Sequence, residues 1–240
     1  MDVPRPLHDA IRIALFATLW VAMTVGLRKM PGLRSGDGNA KVYGDRHKAG
    51  GIATSFVHSC AALVWGVALQ QRGELPPTRA WDAPMSEGVA RCIAMLMGYL
   101  LVDLVMGWHG LSAIHRMHHV CGLFAWGLPL LTRSPCTIVV VAYFVAEVAN
   151  PLMHARWLLR HLAIPGSDRL VLTVEIGFIV AWFLGRQGPE IYLCWHHAWF
   201  ERQLPLAWRL VVAAGNALTL VWSAQIATMF VRRVRSMLGL

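Results

Sequence analysis

The sequence predicts an all-helical membrane protein, a bundle of six or seven transmembrane helices, from three observations. Of 240 residues, 56% are hydrophobic and only 15% charged, against roughly a quarter charged in soluble domains, and the mean hydropathy is +0.49. Apolar runs recur at close to the ~20 residues that cross a bilayer. Finally, 22 Lys and Arg outnumber 13 Asp and Glu, and these cations stand between the apolar runs. That is the pattern of loops flanking membrane spans. Nucleic acid is not an expected partner, because it needs a continuous basic footprint. The only lysines, Lys29, Lys41 and Lys48, share one polar loop, which rules out a retinal Schiff base in a last helix. Cys60, Cys92, Cys121, Cys136 and Cys194 show no CxxC spacing and read as small hydrophobes rather than as disulfides or zinc ligands.

The predicted spans are 11–27, 51–69, 89–107, 137–148, 170–185 and 206–231, with 120–131 as a seventh. Pro129 interrupts the seventh, so it forms either a span or, with 137–148, a re-entrant pair or tight hairpin. The first run reads as an uncleaved anchor: Asp2 and Asp9 dilute the charge of its leading region, and Arg28 and Lys29 follow it directly. Two linkers stand out, a Gly-rich basic one at 28–50 and one at 70–87 broken by Pro76, Pro77 and Pro84. The chain divides into an anchor helix with its basic loop (1–50), a helical bundle (51–231) and a short basic tail (232–240). With seven spans, thirteen cations gather on one side and nine on the other. This places the C-terminus in the cytosol and the N-terminus outside or in a lumen.

Ionisable groups inside spans cost several kcal/mol and are functional candidates, each weighed against plain helix packing. Asp103 lies deep in an apolar run, where its bland role is a hydrogen bond to a neighbouring helix. Glu147, Asn150 and His154 share a face at i, i+3 and i+7, which also suits packing through hydrogen bonds. The densest group is His115, His118 and His119, three imidazoles able to converge at a membrane edge as nucleophile, general base or metal ligands. His196 and His197, among aromatics, read as an interfacial belt, and Glu175 as a polar helix contact. The spacing His115-x-x-His118-His119 also matches one box of iron-dependent membrane desaturases and hydroxylases. The eight histidines after residue 100 lack the other boxes, and no stoichiometric metal is expected.

In order, Gly98-Tyr99 with Asp103, the pair His118-His119, and Glu147 followed by Pro151 and Arg156-Trp157 resemble the TLC-domain family, which includes the ceramide synthases. The resemblance covers about 56–231. It implies helices enclosing an intramembrane cavity for lipid or acyl chains, in an endoplasmic reticulum or other endomembrane. It further implies His118 and His119 as nucleophile and base, Asp103 as their orienter, and His115, Glu147, Asn150, His154, Arg156 and Trp157 as substrate, cavity or structural residues. Acyl transfer from acyl-CoA to a lipid amine or hydroxyl is the activity implied for acyltransferase members. A non-catalytic lipid sensor or trafficking factor is the alternative. No aspartate follows His119 until Asp168, so the Asp-x-x-Asp motif of ceramide synthases is missing, and His154 stands where smaller members carry Asn.

Overall fold

The computed structural model describes residues 5–30, 43–75, 84–108, 111–132, 137–162, 167–195 and 206–239, and among these it is helical with no strand. The helices are α1 (Arg5–Lys29), α2 (Tyr43–Gln71), α3 (Glu87–Gly107), α4 (Ala113–Thr132), α5 (Thr137–Glu147), α6 (Asn150–Leu162), α7 (Asp168–Val180), a π-helical segment (Ala181–Gln187), α8 (Gly188–Trp195) and α9 (Leu206–Leu238). Four of them, α1, α2, α3 and α9, are each long and apolar enough to cross a membrane unaided.

The described helices make seven passes. Arg12 of α1 pairs with Glu87 at the start of α3, while Arg28 at the end of α1 lies against Gly50 of α2. Thus α1 and α3 run parallel with α2 between them in direction. Glu74, just past α2, accepts from Ser86, the residue capping α3, and closes that turn. α4 then runs back along α3: Asp103 meets His119, Leu100 meets Gly122 and Met97 meets Gly127. The 120–131 run is therefore part of a full antiparallel pass, and not half of a re-entrant pair.

The 137–148 run ends early, at Glu147. Eleven helical residues rise about 16 Å, half of a ~30 Å hydrocarbon core, and α6 completes the pass after a turn at 148–149. Pro151 explains the break, since a proline ring clashes with the carbonyl four residues earlier, here that of Glu147. The 170–185 run is likewise not one regular helix. Its second half widens into the π segment, whose closing Gly188 N–H bonds to Phe183 O, five residues back. Pro189, lacking an N–H, returns no bond to Gly185.

Close approach between passes relies on small residues, as membrane helices without a hydrophobic drive between them require. A Cβ on Gly98 would sit 2.8 Å from the Ala17 backbone nitrogen and 2.9 Å from Phe16 Cβ. α1 therefore lies directly on α3 there. The larger core joins α1 to α5 around Trp20, Ile93, Leu96 and Tyr143. A smaller one, around Ala149, Phe178 and Trp182, joins α6, α7, the π segment and α9.

A candidate site on three helices and its family

Asp103 sits one turn before the end of α3, and His119 on the second turn of α4. The antiparallel pairing of the two helices brings His119 Nε2 to 2.9 Å from Asp103 Oδ2. His119 is 7% exposed and its Nδ1 is buried with no hydrogen-bond partner among the described residues. A neutral imidazole that donates Nε2–H to a carboxylate keeps its lone pair on Nδ1, so the arrangement turns an oriented acceptor nitrogen into the bundle interior. Arg28 and His154 lie within electrostatic reach of Asp103.

The three clustered histidines do not converge on one point. His118 points to α9, its ring edge-on to Trp222 at 4.9 Å and 5.5 Å from the His119 ring. His115 Nδ1 is 2.7 Å from Ser112 Oγ, and its ring lies 5.5 Å from Trp222. Of the three, His119 is the one whose ring is placed against the Asp103 carboxylate. It is also more enclosed than a polar helix edge, where the sequence places both members of the pair. Among the described residues no group of three or more His, Cys, Asp or Glu is disposed to hold a metal ion. His109, His196 and His197, the belt pair included, fall outside those residues, and the side chain of His161 is likewise not described. Cys136 and Cys194 also lie beyond what the side chains describe.

A second polar layer runs through α5, α6, the π segment, α8 and α9. Asn150 Nδ2 donates to Glu147 Oε2 at 3.0 Å across the Pro151 break, so this pair meets although no continuous helix carries it. Arg186 Nη1 donates to Asn150 Oδ1 at 3.0 Å and Arg186 Nε to Glu190 Oε2 at 3.2 Å. Thr219 donates to the other Glu190 oxygen. The Arg186 guanidinium also lies over the Trp182 ring, 4.3 Å from its centroid. His154 does not join this layer in hydrogen bonds; it lies toward Asp103 and His58, within electrostatic reach of both. Arg156 is directed elsewhere, to Glu175 on α7 at 2.9 Å, and Trp157 lies half-buried on the same helix. Glu175 thus does make a polar helix contact, and its partners are three arginines, Arg156, Arg160 and Arg233.

Between the two layers lies a cluster that sequence reasoning missed. His58 of α2, 1% exposed, stacks on Tyr99 at 3.8 Å and shares a 3.0 Å hydrogen bond with the Tyr143 hydroxyl. Tyr99 donates to Ser55 at 2.8 Å, and Trp20 stands edge-on to both rings. A histidine inside the predicted 51–69 span was signal enough to find His58. Arg186 offered none, because an arginine directly after an apolar run reads as a loop charge.

An all-α polytopic membrane protein with a carboxylate-oriented histidine buried between antiparallel helices is the class these features define. The TLC-domain profile matches residues 52–231, three quarters of the chain, and the chain belongs to that family. Neither the curated proteins nor the solved structures contain a match to it.

Proposed function

We propose that this protein transfers an acyl group from acyl-CoA to the amine or hydroxyl of a membrane lipid, with His119 as the base. The TLC domain is linked to lipid metabolism and homeostasis. The observation that carries the finer reading is the 2.9 Å Asp103–His119 pair with the second ring nitrogen buried and without a hydrogen-bond partner among the described residues. In the step, His119 Nδ1 takes the acceptor's proton as its oxygen or nitrogen attacks the thioester carbonyl. The new C–O or C–N bond forms, the C–S bond breaks, and the departing coenzyme A thiolate recovers the proton from the imidazolium. Asp103 holds the ring and offsets the positive charge that develops on it. In a two-step variant His118, 5.5 Å away, carries the acyl group. Arg116, stacked over Trp108 at 4.9 Å, is our candidate for meeting a cofactor phosphate. An endomembrane such as the endoplasmic reticulum suits this chemistry.

A lipid sensor or trafficking role is the second reading, favoured by the missing aspartates after His119. The deciding experiment incubates purified protein with long-chain acyl-CoA and membrane lipid acceptors, measuring acylated lipid by mass spectrometry and free thiol by colour. Turnover that disappears in His119→Ala and in His118→Ala supports the enzyme. Absent turnover, with the cellular lipid phenotype intact in the double variant, leaves the sensor.

A further inference from the structure

The Glu175 cluster carries more positive charge than Glu175 can use. Glu175 is 5% exposed and has two carboxylate oxygens for three guanidinium groups, each with five donors. Arg156 is the enclosed partner at 18% side-chain exposure, whereas Arg160 and Arg233 are 45% and 43% exposed and turn the rest of their donors outward. Next to them, the exposed face of α9 borders a shallow, open groove of about 650 Å³, lined among the described residues by Val221, Ala224, Gln225, Thr228, Met229 and Arg232. Groove and cluster are continuous, because Arg156 Nη2 touches Met229 Sδ at 3.2 Å.

We infer that this is a binding site for an anionic phospholipid, its phosphate held by Arg160, Arg232 and Arg233 and one acyl chain lying along α9. Length fits: Val221 to Arg232 spans about 16 Å of helix at 1.5 Å per residue, close to one leaflet of a ~30 Å hydrocarbon core. The chemistry fits as well, with Val221 and Ala224 at the deep end, Thr228 one turn from the head where ester groups would lie, and four arginines against one carboxylate at the head. A zwitterionic lipid would bring its own cation into that cluster and gain far less.

The test uses full-length protein in phosphatidylcholine nanodiscs, titrated with phosphatidylglycerol and followed by native mass spectrometry and thermal unfolding. Phosphatidylglycerol should remain bound after phosphatidylcholine is stripped and should raise the midpoint of unfolding. Arg160→Gln with Arg233→Gln should weaken that binding by about fivefold for each arginine, and the rise in midpoint that phosphatidylglycerol produces, taken relative to the variant's own midpoint in pure phosphatidylcholine, should shrink with it. If the double variant fails to fold, exposed Arg232→Gln is read the same way. Equal retention of the two lipids, or undiminished binding in the variants, overturns the site. Displacement of phosphatidylglycerol by free coenzyme A at equal concentration overturns it too, by assigning the cluster to the cofactor's phosphates. No turnover enters the measurement, so its failure and that of the acyltransferase reading are separable.

Discussion

Among the described residues Asp103 is the hydrogen-bond partner of His119, and the consequences of losing either partner differ in kind. His119→Ala removes the base, and product formation should fall by about 10²-fold or more, with loss of stability of about 1–3 kcal/mol from the abandoned Asp103 carboxylate. Asp103→Asn keeps the shape and removes the charge, so turnover should fall while the melting temperature in detergent holds. Parallel loss of both would make Asp103 a structural residue. Glu175→Ala belongs to the opposite kind: it strands the enclosed Arg156, should cost about 3–5 kcal/mol, and should appear in unfolding rather than in product. Asp103, Glu147 and the histidine pair were legible in the sequence because charge inside an apolar run is costly and conspicuous. Which histidine meets Asp103 was not, since that depends on the stagger between α3 and α4. Nor could the sequence join Glu175 to Arg233, 58 positions away on another helix.

Two prolines shape the passes on which they sit, Pro151 at the break between α5 and α6 and Pro189 beside the π segment. The apolar pattern of 137–148 and 170–185 located both passes, but hydropathy counts residues and cannot see that Pro151 ends α5 at Glu147, or that the turns before Pro189 widen. The break after Glu147 is what lets Asn150 face both Glu147 and Arg186. Pro151→Ala should allow α5 and α6 to fuse, rotating Asn150 out of that bridge. The expected outcome is increased helicity by circular dichroism together with a lower melting temperature, and an unchanged melting temperature would show that the break carries no packing. Gly98 shows the same dependence on backbone geometry from the other direction. Gly98→Leu would force a side chain into the α1 backbone at Ala17 and Ile13, atoms that cannot move aside, and overpacking of that kind costs about 1–3 kcal/mol.

Seven passes put the two ends of the chain on opposite sides of the bundle. With the excess of cations beside Lys29 and after Val231, the expected orientation has the C-terminus in the cytosol. A tag after Leu240 should be digested by protease added to intact microsomes, and a tag before Met1 should be protected. The reverse pattern would invert the orientation. The 13 to 9 charge balance counted Arg186 as a loop cation, whereas Arg186 is 5% exposed and bonded to Asn150 and Glu190. The close seat of α1 on Gly98, with Trp20 edge-on to His58 and Tyr99, bears on how the chain can be divided. α1 precedes the 52–231 match, but it supplies one wall of the room in which those rings stand. The family segment is in that sense a house with a borrowed side. Expressed from residue 51 onward it should be degraded or remain in aggregates, and a separately expressed fragment carrying α1 should restore it, as two halves of a split protein reassemble.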